Sequence, residues 1–477
     1  MGAVVVTRGG GSRTDLSPAR RRALDALVAA RERDAFIRDV FVRSSETACP
    51  DRRDEALAMR LAFGVTAAAG CLDDALDAHI DRPRDVSPAL RDSLRISAFE
   101  IIYLRTAPEI AVSQGVELAR AVARGATGLA NAVLRRVAGS RGDFLDAADV
   151  ASKHRGVVAR ARRAGLPAWL VRDVVASIGD RADSLLDCQL DIPPVYIQVG
   201  AARPDIESVL SLARATATPL PGCYRVESVR ELVHAGSFER AELVSSDYAA
   251  QLVASAAVQD GSVLEVGAGR GTKCYVRGAL AARLGVCIDQ TAVDLFEWKC
   301  SSNAERMSRA GFAVPRTIAL DARDLERGLT AAGAMPAPGF DCVLLDAPCS
   351  GTGTMRRHLE IPWRLTTAEV RTDLPALQLA LLKSASRVVA VGGDLLYATC
   401  SVLSSENDGV VDAFLSSEEG SLFAPAPVSG AKAFGLRGMD AARADLVRNE
   451  DERGRFQTVP ARDGFDGHFC ARFVRIR

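Results

Sequence analysis

Apolar residues recur at helical spacing through the first part of the chain, at intervals of three and four residues. They include Leu24, Leu27, Val28, Leu57, Leu61, Val65, Ile96, Phe99 and Ile102. Ser17 followed by Pro18 predicts a helix that begins with a serine cap and a proline in its first turn. No alternating strand pattern interrupts the helical spacing before about residue 138. We therefore predict a disordered tail over residues 1–16 and an all-α domain over residues 17–140.

The next part of the chain mixes helical segments with short runs typical of strands, such as residues 195–199 and 223–226. Prolines at positions 193, 194, 219 and 221 indicate edges and turns there. The pattern predicts a small α+β connector over residues 151–245.

From residue 246 the pattern becomes that of strands alternating with helices, which is typical of a doubly wound α/β sheet. Predicted strands cover residues 262–266, 285–288, 316–320 and 340–345, followed later by 392–397 and 469–476. Three of the first four end in an acidic residue, namely Asp289, Asp321 and Asp346. Because open parallel sheets bind ligands at the carboxyl ends of their strands, these acids indicate a site. We predict a catalytic domain over residues 246–477.

The charged residues are balanced over the whole chain but not within one segment. The 477 residues contain 60 Lys and Arg and 60 Asp and Glu, which excludes a uniformly basic nucleic-acid binder. Between residues 120 and 172, however, eleven basic residues face only three acidic ones. This cluster is a candidate surface for a polyanion such as RNA.

The cysteines argue against a disulfide framework. There are eleven in a long chain, with no CxxC pair, so neither paired disulfides nor a zinc site is predicted. No signal-peptide pattern is present at the amino terminus, and no run of 18 apolar residues suggests a membrane span. We expect a cytoplasmic protein with reduced thiols, no metal and no membrane partner.

A glycine-rich turn follows the first strand of the predicted catalytic domain. It reads Gly267-Ala268-Gly269-Arg270-Gly271-Thr272-Lys273, a form that fits NAD, FAD or S-adenosylmethionine. A phosphate-binding Walker turn is excluded because the glycine spacing differs and Cys274 follows the lysine. The turn alone leaves the choice between hydride and methyl transfer open.

Two cysteines just past predicted strands favour methyl transfer. Cys349 follows Asp346-Ala347-Pro348, and Cys400 lies in Thr399-Cys400-Ser401. Two thiols and a carboxylate suit chemistry at C5 of a pyrimidine, where a thiolate adds to C6, C5 attacks a methyl group, and a base removes the C5 proton. Asp346 would hydrogen-bond N3 and the amine of a cytosine. A cationic neighbour, Lys273 or Arg357, would lower the pKa of the attacking thiol.

Together these motifs resemble the RNA (cytosine-5) methyltransferases: residues 346–353 read DAPCSGTG, with Arg356, Arg357 and Trp363 after them, and residues 397–401 read YATCS, with Glu406 and Asn407 after them. The helical region is similar to the RNA-binding domain of the antitermination factor NusB, in segments 19–24, 72–76, 94–102, 111–119 and 129–136. With both parts present, the chain is identified as a member of the RsmB (Sun, Fmu) family, which methylates 16S ribosomal RNA. The resemblance covers roughly residues 17–477.

The resemblance implies a role for each matching residue. Cys400 would be the nucleophile, Cys349 would assist release of the product, and Lys273 and Asp346 would complete the catalytic group. S-adenosylmethionine would contact Gly267, Ala268, Gly269, Arg270, Gly271, Thr272 and Lys273, with Asp289, Asp321 and Asp346 completing its pocket. Residues 356–363 would lie along the RNA, with arginines on phosphate and an aromatic ring for stacking. The basic amino-terminal and connector regions would bind 16S rRNA, and the chain would act as a monomer with a class I, Rossmann-like methyltransferase domain.

The chain also departs from the family pattern. The first turn differs from the usual alanine-proline-glycine-glycine-lysine form, and Glu265 and Glu360 stand where aspartates are usual. Residues 463–469 look like the closing DGFF element with residues inserted. These departures leave two alternatives open: methylation of tRNA or another RNA, and a non-catalytic RNA-binding assembly factor.

Overall fold

The computed structural model of the 477-residue chain describes residues 15–43, 48–146, 156–200 and 206–477. It forms two compact units, residues 1–171 and 172–477. Residues 1–14 of the predicted tail, like Lys153 and Arg155 of the basic cluster, lie outside the described residues.

The first unit is helical. Its helices are α1 Pro18–Glu32, α2 Ile37–Arg43, α3 Arg52–Ala67, α4 Ala69–Asp77, α5 Pro88–Phe99, α6 Pro108–Val122, α7 Thr127–Asp146 and α8 Val157–Ala164, and α9 Ala168–Ile178 continues into the second unit. A π-helical turn, Glu100–Leu104, extends α5. Within the described ranges no single helix is long and apolar enough to cross a membrane, although α3 and α4 pass that test as a pair bent by 78°.

Helix α1 begins where the sequence predicts. Pro18 occupies its first turn and Ser17 precedes it, but the Ser17 side chain makes no capping hydrogen bond. Instead, the Ser17 backbone N–H donates to Gln114 Oε1 of α6 at 2.8 Å. Because a tertiary acceptor satisfies this terminal N–H, the start of α1 is tied to α6. The apolar faces of the helices meet in a core that includes fully buried Leu24 and Leu94.

A buried ion pair crosses this helical core. Arg20 of α1 donates to both carboxylate oxygens of Glu100, with Nη2–Oε1 and Nε–Oε2 distances of 2.6 and 2.8 Å. The Glu100 side chain is only 2% exposed. A charge buried to this degree is tolerated only with such a bidentate partner.

The second unit opens with α10 Ala182–Cys188 and a small sheet of four strands. Its elements are β1 Val195–Val199, α11 Ile206–Leu212, β2 Thr216–Ala217, β3 Cys223–Val226, α12 Val229–His234 and β4 Leu243–Ser245, in the strand order β2-β3-β1-β4. The pairings of β1 with β3 and β4 are antiparallel.

The remaining residues form a large mixed sheet with helices on both faces. Its strands are β5 Gly261–Val266, β6 Ile288–Asp294, β7 Arg316–Ala319, β8 Phe340–Asp346, β9 Val389–Thr399, β10 Phe423–Ala426, β11 Phe456–Gln457 and β12 Phe469–Arg475. Its helices are α13 Tyr248–Ser255, α14 Thr272–Leu284, α15 Glu297–Arg309, α16 Leu325–Ala331, α17 Ile361–Arg364, α18 Leu374–Arg387, α19 Asp408–Leu415 and α20 Asp440–Val447. The strand order is β10-β12-β9-β8-β5-β6-β7, with β11 on β12.

Strands β7, β6, β5, β8 and β9 are parallel, as predicted, whereas β12, β10 and β11 are antiparallel. The doubly wound α/β sheet is therefore confirmed, and the antiparallel strands at its carboxyl-terminal side make it a mixed sheet. Because β12 runs antiparallel to β9, its amino end lies at the same edge as the carboxyl ends of β8 and β9.

Replacing Arg20 by Met should remove about 3–5 kcal/mol from the free energy of unfolding of the helical unit, because the buried Glu100 carboxylate then loses its charged partner. Amide hydrogen exchange in α1 and α5 of the full-length protein measures the loss. Arg21→Met is the matched control, since Arg21 and its partner Asp25 are both more than half exposed, and it should change stability by less than about 1 kcal/mol. Equal losses in the two variants would contradict a stabilising role specific to the buried pair.

Candidate active site

Two adjacent parallel strands bring the predicted cysteines together. Strands β8 and β9 pair with Asp346 opposite Ala398, and the loops that leave them carry Cys349 and Cys400. The two sulfur atoms lie 3.2 Å apart, and the Cys400 backbone N–H donates to Cys349 Sγ at 3.3 Å. Residues 51 positions apart in the chain thus form a contacting pair of thiols.

The carboxylate of Glu406 ties these two loops together. It accepts hydrogen bonds from the Ser350 backbone N–H at 2.8 Å, Ser401 Oγ at 2.8 Å and Gln378 Nε2 at 3.0 Å. Thr352 Oγ1 adds a bond from the Val402 N–H at 3.1 Å. All these residues are buried, so the two cysteine loops are held by hydrogen bonds that converge on a buried carboxylate.

Lys273 and Asp346 form a second pair at the same edge. The Lys273 ammonium, near the start of α14, donates to Asp346 Oδ2 at the end of β8. Burial lowers the pKa of Lys273, but the neighbouring carboxylates of Asp346 and Glu265 raise it by more, so its net pKa is above the ordinary value. Lys273 is therefore a cation at neutral pH.

The environment makes the two thiols unequal. The pKa of Cys400 is lowered, chiefly because the Cys349 thiol donates to it and also because of the Lys273 charge, against opposing effects of burial and Asp346. The pKa of Cys349 is raised well above its ordinary value by the same hydrogen bond and by burial. Cys400 is thus the thiol that ionises first. The predicted effect of Lys273 on a cysteine is found, whereas Arg357 points elsewhere.

The glycine turn has the backbone that its composition predicts. Gly267, Gly269 and Gly271 all have positive φ angles, of 80°, 55° and 80°. A Cβ at Gly267 would come within 2.4 Å of the Asp346 carbonyl oxygen, whereas a Cβ at Gly269 would meet nothing within 4 Å. The turn packs closely on the catalytic strand on one side and is open on the other.

Asp294, rather than Asp289, is the acid at the end of the second strand of this sheet. Asp294 Oδ2 accepts from the Gly269 backbone N–H at 3.0 Å, and its Oδ1 accepts from the Phe296 N–H at 3.1 Å. Asp289 pairs with Ser262 near the amino end of β6, five residues earlier, and is exposed. At ~3.3 Å per residue it is roughly 16 Å away, at the opposite edge, so its predicted place in the cofactor pocket is wrong.

Asp321 follows β7, whose last residue Ala319 pairs with Asp294. It therefore lies at the predicted edge of the sheet, but it is exposed and hydrogen-bonded to Arg323. Its bonds to that side chain and backbone lower the pKa of Asp321 to about 2.

The guanidinium groups of Arg356 and Arg357 bind other parts of the protein, contrary to the prediction that they contact RNA phosphates. Arg356 is 2% exposed and donates to the carbonyl oxygens of Ala461, Gly464 and Phe465. Arg357 donates to the Asp466 carboxylate and, at 2.7 Å, to the Pro194 carbonyl oxygen. Both guanidinium groups fasten the closing segment of the chain to the cysteine loop.

The sequence analysis assigned no role to Asp294, Glu406 or His468, although Glu406 belongs to the second cysteine motif. The signal that could have found Asp294 is an acidic residue at the end of a strand. The sequence analysis placed that strand over residues 285–288 and therefore chose Asp289. Glu406 and His468 acquire their significance only through tertiary contacts.

Comparisons with known proteins follow the same division of the chain. The model of the 16S rRNA methyltransferase RsmB/F family matches residues 253–474, and the NusB family model matches residues 17–139. The ribosomal RNA small subunit methyltransferase B of Xanthomonas campestris is 30% identical over 376 residues, which cover 76% of this chain and 80% of that protein. The chain belongs to the RsmB/F methyltransferase family. Its amino-terminal unit carries the NusB-family domain.

Other relatives span more of the chain. A putative methyltransferase of Mycobacterium tuberculosis is 31% identical over 433 residues, or 84% of this chain and 87% of that protein. The probable ribosomal RNA small subunit methyltransferase B of Bacillus subtilis is 27% identical over 462 residues, covering 94% and 96%.

Solved structures share the fold. PH0851 has a TM-score of 0.72 at 19% identity and covers 97% of this chain and all of its own. NSun6 of Pyrococcus horikoshii, solved with SFG, has a TM-score of 0.51 at 15% identity and covers 66% of this chain and 99% of its own.

Removing the Cys349 donor should make Cys400 harder to ionise. In Cys349→Ala the pKa of Cys400 should rise, so the pH of half-maximal iodoacetamide labelling moves upward and labelling at pH 7 slows about tenfold, since a hydrogen bond to a charged group contributes about 1.5 kcal/mol. Mass spectrometry of the Cys400 peptide measures the rate, with the exposed Cys287 as internal reference. Cys349→Ser keeps a hydroxyl donor and should shift the midpoint less. An unchanged midpoint in the alanine variant would refute this electrostatic assignment.

Proposed function

We propose that this protein methylates C5 of a cytosine in 16S ribosomal RNA, using S-adenosylmethionine and a covalent adduct between Cys400 and C6. The observation that carries this proposal is the contact of two unequal thiols, 3.2 Å apart, beside the Lys273–Asp346 pair. Membership of the RsmB/F methyltransferase family and the relatives named as small subunit methyltransferases support the substrate.

In this reaction the Cys400 thiolate attacks C6 of the target base. Asp346 accepts a hydrogen bond from the exocyclic amine, and N3, which takes a proton from solvent as the sulfur adds and returns it when the product forms, donates to the same carboxylate. S-adenosylmethionine, when bound, supplies the electrophilic methyl group that C5 attacks. Once the Cys400 sulfur is held in the C–S bond, the Cys349 thiol no longer donates to a thiolate, so it can release its own proton to solvent, and the resulting Cys349 thiolate removes the C5 proton. That proton leaves C5 for Cys349, and the C–S bond breaks to return Cys400 as a thiolate.

The glycine turn fits such a cofactor. The open side of Gly269 allows close approach of a ligand, and the buried Asp294 carboxylate lies directly against the turn, where ribose hydroxyls would bind. Gly267 to Lys273, Asp294 and Asp346 are the residues that we propose hold S-adenosylmethionine, with Asp321 at the rim. Arg270 of the same turn lies against Trp298, with its guanidinium carbon 4.9 Å from the centroid of the indole ring.

Exposed arginines of the helical unit suit a phosphate backbone. Arg124 precedes α7, and Arg135 and Arg136 lie in the middle of that helix, all three with exposed side chains. We propose that this part of the basic cluster contacts the rRNA and that Arg172 of the second unit contributes. A single chain contains all the residues proposed for chemistry, which supports action as a monomer. The relatives named as ribosomal RNA methyltransferases support a place in the cytoplasm.

Loss of the gene should abolish one methylcytosine in 16S rRNA, detected by bisulfite sequencing of RNA from the deletion strain and from the strain complemented with wild-type protein. If every rRNA site stays methylated while a tRNA site is lost, the substrate is tRNA. If no site is lost and titration calorimetry detects no S-adenosylmethionine binding, the non-catalytic assembly factor is the better reading.

The two thiols should give opposite phenotypes with RNA. Cys349→Ala should form the C6 adduct but release it slowly, so that a protein–RNA band persists on a denaturing gel. Cys400→Ala should form no adduct and transfer no methyl group, and the double variant should resemble it. Adduct accumulation in Cys400→Ala would reverse the two assignments.

Asp294 and Asp289 provide a matched test of the cofactor site. Asp294→Ala should raise the Kd of S-adenosylmethionine at least tenfold, because a charged acceptor near the turn contributes about 1.5–3 kcal/mol. Asp289→Ala, which removes an exposed carboxylate at the opposite edge, should leave the Kd within about twofold. Titration calorimetry at equal protein concentrations measures the Kd of both variants. Equal changes in the two would refute the assignment of Asp294, rather than Asp289, to the cofactor site.

A further inference from the structure

A histidine lies just beyond the proposed catalytic carboxylate at the active edge of the sheet. Strands β8, β9 and β12 are neighbours, and alternate residues along each share one face of the sheet. Asp346, Ala398 and Cys470 lie opposite one another across these strands, and Ala398 and Cys470 pack into the core covered by α14. Two residues further toward the active edge come Cys400, just after β9, and His468, just before β12.

The backbone at this edge fixes the position of His468. Beyond the last pair, Phe469 opposite Thr399, the two strands separate and Gly353 lies between them. The Gly353 N–H donates to the Cys400 carbonyl oxygen at 2.9 Å, and the Gly467 N–H donates to the Gly353 carbonyl oxygen at 2.9 Å. Because a Cβ on Gly353 would lie 2.2 Å from the Gly467 carbonyl oxygen, the segment before His468 is packed directly onto the cysteine loop.

The His468 imidazole is neutral and has an unused nitrogen. The residue is 7% exposed, and its Nδ1 is enclosed without a hydrogen-bond partner among the residues that the structure describes. Burial, followed by the positive charge of Lys273, lowers the pKa of His468 to about 4. An imidazole that is neutral at pH 7 carries one lone pair that accepts a hydrogen bond. Leaving such an acceptor buried and unpaired is unfavourable by about 1–3 kcal/mol, which calls for a functional reason.

Lys273 is the group that the unpaired nitrogen of His468 could serve. Its partly buried ammonium donates to Asp346, which is also the carboxylate proposed to bind the cytosine. When Asp346 turns to the base, the ammonium loses an acceptor in a place where an uncompensated charge is costly. His468 is two residues from Cys470, which lies opposite the same β9 residue as Asp346, the partner of Lys273. The Nδ1 of His468 is enclosed, and the Lys273 charge contributes to lowering the pKa of His468.

We propose that His468 is a positioning residue that accepts a hydrogen bond from the Lys273 ammonium when Asp346 turns to the target cytosine. The identity of the base rests on the proposed function, whereas the exchange of partners by Lys273 is a property of the chain itself. His468 thereby holds Lys273 in place and leaves Asp346 free to act on the ring.

A stability cycle tests the exchange without cofactor or RNA. His468→Phe alone should leave the Tm of the full-length protein unchanged or slightly raised, because it removes an unpaired nitrogen. Asp346→Ala should lower the Tm only modestly, since Lys273 then turns to His468. The double variant should lose roughly 2–4 °C more than the sum of the single changes, as expected for coupled neighbours. Additive Tm changes would overturn the proposal.

Kinetics separate positioning from simple packing. With saturating S-adenosylmethionine and RNA, His468→Phe should lower kcat about tenfold and slow adduct formation equally in the Cys349→Ala background, with the Kd of S-adenosylmethionine unchanged. His468→Gln keeps an acceptor and should restore part of kcat. His234→Phe, a change at an exposed histidine of α12, is the control and should have no effect.

A kcat unchanged in His468→Phe, or not restored by glutamine, contradicts the positioning role. If wild-type protein methylates no cytosine while the stability cycle is non-additive, the proposed function fails and the partner exchange of Lys273 stands.

Discussion

The catalytic edge depends on one buried carboxylate. Glu406 is fully buried, and its three donors come from three different segments: the Ser350 backbone, the Ser401 hydroxyl and the Gln378 amide. A buried carboxylate without such donors would be strongly unfavourable, so the segments can satisfy it only by converging. This convergence places Cys349 against Cys400. The thiol contact is thus a consequence of a hydrogen-bond network one residue away from each sulfur.

A second buried network joins β5 and α14, the strand and the helix on either side of the glycine turn. The Arg277 guanidinium donates to Glu265 Oε2 at 2.6 Å, and the Cys274 thiol donates to the same oxygen at 3.0 Å. Asn303 packs against Gly271 so closely that a Cβ there would lie 1.9 Å from its side-chain oxygen. The turn therefore keeps its path by burial and by the positive φ of its glycines, and not by the proline of the usual family turn. Arg270 at that place instead lies against the Trp298 ring.

Local patterns predicted those features that local physics determines. The start of α1 at Pro18, the strands predicted over residues 340–345 and 392–397, and the position of each cysteine just past one of these strands all follow from short segments. Strand β6 was misplaced because it contains polar Gln290 and Thr291, which are buried by tertiary packing, while the apolar run before it is exposed or half-buried. The role of Arg356 was equally inaccessible, since its acceptors lie 105 to 110 residues away. Periodicity carries no information about such partners.

The order of events in the proposed reaction follows from the charges held at this edge. Two sulfurs 3.2 Å apart cannot both be ionised at modest cost, so a thiolate at Cys400 keeps Cys349 protonated. Lys273 stabilises that thiolate, while Asp346 opposes it, and a neutral imidazole adds no third charge. Formation of the C–S bond removes the negative charge from the Cys400 sulfur. Only then does Cys349 lose the neighbour that kept it protonated, so one contact between two thiols both activates the nucleophile and delays the base until an adduct exists.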